Sequence, residues 1–199
     1  MGDFLMAFNN SLASIRRLGR NAILPVDTIK SICRKTLEDR NIKTVLDFGS
    51  GALFWSNWFV KEFKIKVYAV DTYYNTAIMP QNDAIIYYFN LSTCLSENSE
   101  ISFVWVCDVL HHLSPSDSDV FLKEICERTD IIIIKDIDAT HRFGNFMNKM
   151  HDKIVNNETV YNIYPVKIKN LLETNGFKTS YYFVPKIWYP HFILIAIRR

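Results

Sequence analysis

Two glycines, two acids and a group of histidines are where this chain could do chemistry. Val45-Leu46-Asp47-Phe48-Gly49-Ser50-Gly51 runs from an apolar stretch into a turn. Glycines there let the backbone pass close to a ligand and adopt dihedrals that a Cβ would forbid. Amides opening the helix beyond such a turn can take a polar or anionic group. The next apolar stretch, Tyr68-Ala69-Val70, ends at Asp71, with Thr72 beside it. A carboxylate in that place can accept two hydrogen bonds from a ribose diol. All five histidines come after residue 110: His111, His112, His141, His151 and His191. Imidazole suits proton removal near neutral pH. Lys135-Asp136-Ile137-Asp138 adds a cation and two acids in one short segment.

The elements that must position these residues follow from periodicity. Phe4, Leu5, Phe8, Leu12, Ile15 and Leu18 recur at helical spacing, and Gly19 is a plausible stop. Pro25 and Asp27 open a second helix that ends at Asn41. Thr44–Phe48, Lys66–Val70, Ala84–Phe89, Ile101–Cys107 and Asp130–Ile134 read as strands, with helices at Phe54–Phe63 and Asp117–Arg128. Bare apolar runs suit parallel strands buried on both faces by helices. Asn145–Val155 and Pro165–Asn175 read as helices, and Thr179–Val184 and Phe192–Arg198 as a closing strand pair. The short link Pro185 to His191 is too brief for a helical crossover, so that pair is antiparallel. The expectation is an open α/β sheet of six parallel strands and one antiparallel strand near an edge. Ligands of such sheets sit beyond the carboxyl ends of the strands. His111, His112, His141 and the Lys135–Asp138 segment all fall there.

Composition bounds the function. The 199 residues are expected to make one domain, with N-terminal helices over 1–40, the glycine turn and first five strands over 41–138, and the last helices and terminal strands over 139–199. Apolar types are 49% and charged types 22%, which excludes a disordered chain. A net charge of +2 gives no basic surplus for a nucleic-acid backbone. No run approaches a membrane span, and no targeting segment is expected. Cys33, Cys94, Cys107 and Cys126 form no C-x-x-C pair and read as reduced thiols of a cytoplasmic protein. The acids and histidines match no recognised metal spacing, so no metal is expected. A dinucleotide fingerprint needs a third glycine where Phe54 stands, and no Lys-Ser or Lys-Thr follows the turn as a P-loop would require.

D-x-G-x-G after a strand, with an acid ending the next strand, resembles the class I S-adenosylmethionine-dependent methyltransferases. Phe103–Leu113, with its D-V-L-H-H-L segment, is similar to that family's fourth strand and the residues after it. The closing strand pair also matches, and the resemblance runs from about residue 40 to the end. It implies a Rossmann-like seven-stranded sheet in the order 3-2-1-4-5-7-6 with strand 7 antiparallel, helices on both faces and an N-terminal helical extension. It implies S-adenosyl-L-methionine as cofactor, held by Asp47, Gly49, Gly51, Asp71 and Thr72, with Asn90, Leu91 and Asp108 lining it. It also implies that 41–138 is a cofactor-binding half and 139–199 an acceptor-side cap. Asn90 stands where the family often has Asp facing the adenine amino group.

Methyl transfer to a hydroxyl also needs a proton removed. His111 or His112 is the expected base, with Lys135, Asp136 and His151 on the acceptor side. The segments K-D-I-D, M-H-D and W-Y-P-H resemble a subgroup of small bacterial methyltransferases acting on metabolites or cell-surface precursors. No N-P-P-Y-like segment and no Pro-Cys dipeptide occurs, so the acceptor is expected to be a small molecule, with no nucleic acid and no membrane involved. The protein is expected to be a monomer or homodimer. The alternatives are a catalytically silent domain of this fold that binds a partner, and a nicotinamide-dependent oxidoreductase, against which Phe54 stands.

Overall fold

Alternation along the apolar runs divides their side chains between two cores. Ile132 and Ile134 join Leu46, Val104 and Val106 on one face, while Ile131 and Ile133 join Val45, Phe103 and Trp105 on the other. This is the period of a strand buried on both sides. The structure, a computed structural model, describes residues 24–72, 82–156, 160–187 and 189–199. The expected helix over Phe4–Leu18 and Trp188 lie outside the described residues.

Seven strands form one sheet: β1 (Thr44–Phe48), β2 (Lys66–Val70), β3 (Ile85–Tyr88), β4 (Phe103–Cys107), β5 (Ile131–Ile137), β6 (Phe177–Lys186) and β7 (Tyr189–Arg198). Their order is β3-β2-β1-β4-β5-β7-β6. Strands β1 to β5 pair in parallel, and β7 runs antiparallel to both β5 and β6. One face is covered by α1 (Val26–Leu37) and α2 (Phe54–Phe63). Ile29, Cys33 and Leu37 of α1, spaced four apart, meet Trp55, Trp58 and Phe59 of α2 in that core. The other face takes α3 (Leu91–Glu97), α4 (Pro115–Cys126) and α6 (Pro165–Thr174). A further helix, α5 (Arg142–His151), stands at the carboxyl end of β5 and runs on into a π-helical turn over Asp152–Asn156.

Three elements differ from the sequence expectation for identifiable reasons. Helix α3 is short and rich in Ser and Thr, so it shows no apolar period, but Asn90 caps it by accepting from Thr93 N at 2.8 Å. Strand β5 continues through Lys135 and Asp136, because both charges are paired inside the fold. The terminal hairpin connects through residues 187–188 alone. Pro185 stands opposite Pro190, so the ladder runs past residues that lack an N–H.

Candidate active site

The glycine turn is tied to the next strand by its own amides. Gly49 N and Ser50 N donate to Val70 O at 2.8 and 3.1 Å. Gly49 and Gly51 have φ of +72° and +48°, the left-handed region that disfavours a side chain. A Cβ on Gly49 would fall 2.1 Å from Val109 Cγ2, whereas nothing lies within 4 Å of a Cβ on Gly51. The first glycine is therefore needed for packing as well as conformation, and the second keeps the turn open. Asp71 accepts from Gly51 N at 2.7 Å, which fixes the acid against the turn. Asp47 lies beneath, buried, and accepts from Ser56 Oγ at 2.5 Å. Burial pushes its carboxyl up to about 7. The buried Ser50 Oγ has no hydrogen-bond partner among the described residues.

A cavity of about 780 Å³ opens beyond the carboxyl ends of β1, β2 and β4. Phe48 and Gly49 line it from the turn, and Asp71 and Thr72 from the end of β2. Asn90 and Leu91 enter at the start of α3, and Asp108, Val109, His112 and Leu113 follow β4. Six of the eight residues expected to hold a cofactor thus meet in one cavity. The other two, Asp47 and Gly51, support it from below and beside. Asn90 Oδ1 caps α3 by accepting from Thr93 N at 2.8 Å and also accepts from Ser92 Oγ at 3.0 Å, which fixes this residue at the cavity wall.

The acceptor-side expectations separate into two groups. Lys135 is fully buried, and its Nζ donates to both oxygens of Asp108 at 2.5 and 2.6 Å. Asp108 has a left-handed backbone, and its N–H donates to Lys135 O at 2.8 Å. Burial works against the Asp108 charge, but the Lys135 ammonium prevails and holds its carboxyl below the ordinary range. Asp136, also fully buried, accepts from Leu110 N, Ile137 N and His111 Nδ1 at 3.0, 2.7 and 2.5 Å. The other His111 nitrogen, Nε2, lies 3.9 Å from Asp152 Oδ2. Burial opposes charge on the ring, yet Asp136 and its neighbouring carboxylates outweigh it and raise the pKa to about 9. His111 is therefore an imidazolium clamped between acids at neutral pH, whereas His112 is exposed at the cavity wall.

His151 packs edge-on to Tyr189 at 6.0 Å and is not among the cavity-lining residues. His141 stacks on Phe183 with ring centroids 4.4 Å apart. Asp108, His111 and Asp136 have ligand atoms within 4.8 Å of one another, close enough for a metal. The Lys135 ammonium and the His111 ring already supply the cations for those carboxylates. Asp152 entered the sequence reading only as the last residue of the M-H-D segment, with no role, since one acid within an expected helix does not show what it will face. It also accepts from Asn148 Nδ2 at 2.8 Å, and so joins α5 to the clamp. The stretch before α6 is anchored as well, through Tyr161 N donating to His111 O at 2.7 Å.

No family model matches the chain, and no curated protein matches it in sequence. Solved structures do. One is magnesium protoporphyrin IX methyltransferase from Synechocystis PCC 6803 with bound S-adenosylhomocysteine, at TM-score 0.65 and 17% identity over 87% of this chain and 82% of that one. Another is 1,6-didemethyltoxoflavin-N1-methyltransferase from Burkholderia thailandensis, at TM-score 0.68 and 15% identity over 98% and 89%. Their shared sheet decides the architecture. This chain has the class I methyltransferase fold. That methyltransferase fold also occurs in a chain of the Pnkp1/Rnl/Hen1 RNA repair complex, at TM-score 0.59 and 12% identity over 96% of this chain and 48% of that one. Among the described residues, no helix is long and apolar enough to cross a membrane.

Proposed function

We propose that this protein transfers a methyl group from S-adenosylmethionine to an oxygen or nitrogen of a small acceptor in the cytoplasm. The observation that carries the reading is the single cavity joining the glycine turn, Asp71, the start of α3 and His112. Its volume lies within the roughly 300–1,000 Å³ usual for small-molecule sites. The fit to the cofactor rests on two further features: the open space over Gly51 and the orphaned Ser50 Oγ beside it. Gly49 to Gly51, Asp71, Thr72, Asn90, Leu91 and Asp108 would hold it. When bound, S-adenosylmethionine supplies a methyl group already activated by its sulfonium.

The chain's own residues then have three tasks. Asp71, fixed by Gly51 N, accepts from hydroxyls, since a carboxylate has about four lone-pair positions. Asp108, pinned by Lys135, keeps a negative charge at a fixed place in the cavity wall. His112 takes the proton of the acceptor. His111 and Asp136 cannot share that task. The ring is charged, and both groups are spent on holding the segment after β4.

Calorimetric titration with S-adenosylhomocysteine, with NADH as control, tests the reading. Micromolar binding of the first alone is expected. Binding of neither overturns it in favour of a silent domain of this fold. The likeness to the RNA repair complex favours one second reading, a polynucleotide acceptor. Methylation of an RNA oligonucleotide in preference to small hydroxyl and amine acceptors would establish that instead.

A further inference from the structure

Among the described residues, an apolar face of helix α5 and the π-helical turn that extends it stands exposed. Phe143, Phe146, Met150 and Ile154 recur at steps of three and four and are 70%, 60%, 40% and 73% exposed. At its first turn this face continues into the terminal hairpin. Phe143, Phe183 and Ile187 line one hollow of about 500 Å³. Four such side chains on one helical face, joined to exposed Phe183 and Ile187, are more than scattered surface apolar residues.

The described chain begins at this same place. Leu24 O accepts from Lys186 Nζ at 3.3 Å, and Lys186 is the residue before Ile187 at the hairpin turn. Residues 4–18 therefore attach within a few residues of the hollow. Five residues lie between Leu18 and Leu24, and the six steps reach at most about 20 Å when extended. The spacing of Phe4, Phe8, Leu12, Ile15 and Leu18 predicts a helix with one apolar face, with Asn10 and Arg17 opposite it and Asn9 and Arg16 at its flank. A helix over 4–18 would be about 22 Å long, and the α5 face from Phe143 to Ile154 spans about 17 Å.

We propose that residues 4–18 dock as an amphipathic helix along the apolar face of α5, entering through the hollow beside the β6–β7 turn. Two apolar faces of comparable length, one expected from sequence and one exposed among the described residues, are joined by a tether short enough for one to cover the other. The docked helix would stand over α5, which follows the carboxyl end of β5, on the same rim of the sheet as the cavity. The proposal does not rest on methyl transfer, and its test needs no cofactor.

The test uses the full chain with the photoreactive residue p-benzoylphenylalanine at position 8. After irradiation, the monomeric fraction is digested and the cross-links are mapped by mass spectrometry. Cross-links from position 8 to peptides containing residues 142–154 or 183–187 are expected. F146D or I154D should lower their yield by about tenfold, the size expected for losing one large apolar contact. Because neither side chain belongs to the two cores beside the sheet, cooperative unfolding should persist with a melting temperature within a few degrees of wild type, which separates lost docking from lost folding. The photoreactive residue at position 12 gives an independent second probe.

Absence of these cross-links at both positions overturns the proposal. So does capture that appears only in a dilution-sensitive dimer, which would make a second copy the occupant. Sedimentation of the protein with phosphatidylglycerol vesicles that F146D abolishes would overturn it too, in favour of a lipid surface.

Discussion

Replacing His111 by Asn should remove a specific part of the pH dependence of stability. In the folded protein the His111 pKa stands at about 9, against an ordinary 6.5. A raised histidine pKa stabilises the fold fully below the unfolded value, and that stability is lost as pH rises through the folded value. That rise in pKa corresponds to about 3 kcal/mol of stability. Between pH 7.5 and 9.5 about 2 kcal/mol of it disappears. For a chain of this size that is a fall of about 4–8 °C in melting temperature. The window lies above the Asp47 value of about 7, so that acid adds little there.

Thermal melts of wild type and H111N across pH 7.5–9.5 are the assay. The variant should be less stable throughout, because Asp136 loses its buried partner, by about 3–5 kcal/mol. Its melting temperature should nevertheless fall by several degrees less than that of wild type. Parallel curves would refute the clamp between Asp136 and Asp152, and with it the assignment of His112 as base. Direct NMR titration of the His111 ring gives the same answer if H111N is too unstable to melt cleanly. A ring that titrates near 6.5 would be the refuting result.

Three further outcomes follow. G49A places a Cβ 2.1 Å from Val109 at a φ of +72°, so it should destabilise the fold by about 1–3 kcal/mol, as read from denaturant midpoints, and weaken S-adenosylhomocysteine binding as well. D71A should leave melting within a few degrees but weaken S-adenosylhomocysteine by about 1.5–3 kcal/mol, or ten- to a hundredfold in Kd, and unchanged affinity would remove Asp71 from the site. H112N should bind S-adenosylhomocysteine normally and fall about 10²–10⁴-fold in turnover of a hydroxyl acceptor, once one is identified by screening. Full activity in H112N would return the base to another residue.

The sequence by itself determined the sheet. Continuous apolar runs, broken by helices and closed by a short hairpin, predicted an open α/β sheet with one antiparallel strand, and the resemblance to the methyltransferase family implied the order β3-β2-β1-β4-β5-β7-β6 that is observed. It also marked the glycine turn and Asp71, because positive φ and an acid after a strand leave local signatures at Gly49, Gly51 and Val70-Asp71. Helix α3 escaped notice because seven residues rich in Ser and Thr carry too little pattern.

Partnership was beyond the sequence's reach. His111 and His112 are adjacent in the chain and of one residue type, yet one is buried against two acids and the other stands at the cavity wall. Lys135 and Asp136 looked like a polar rim, and tertiary structure buried both by supplying Asp108 from 27 residues away and His111 from 25. Whether a charged group is a catalyst or a strut depends on what desolvates it and what neutralises it. Those neighbours arrive from other strands, so the folded sheet alone decides the role.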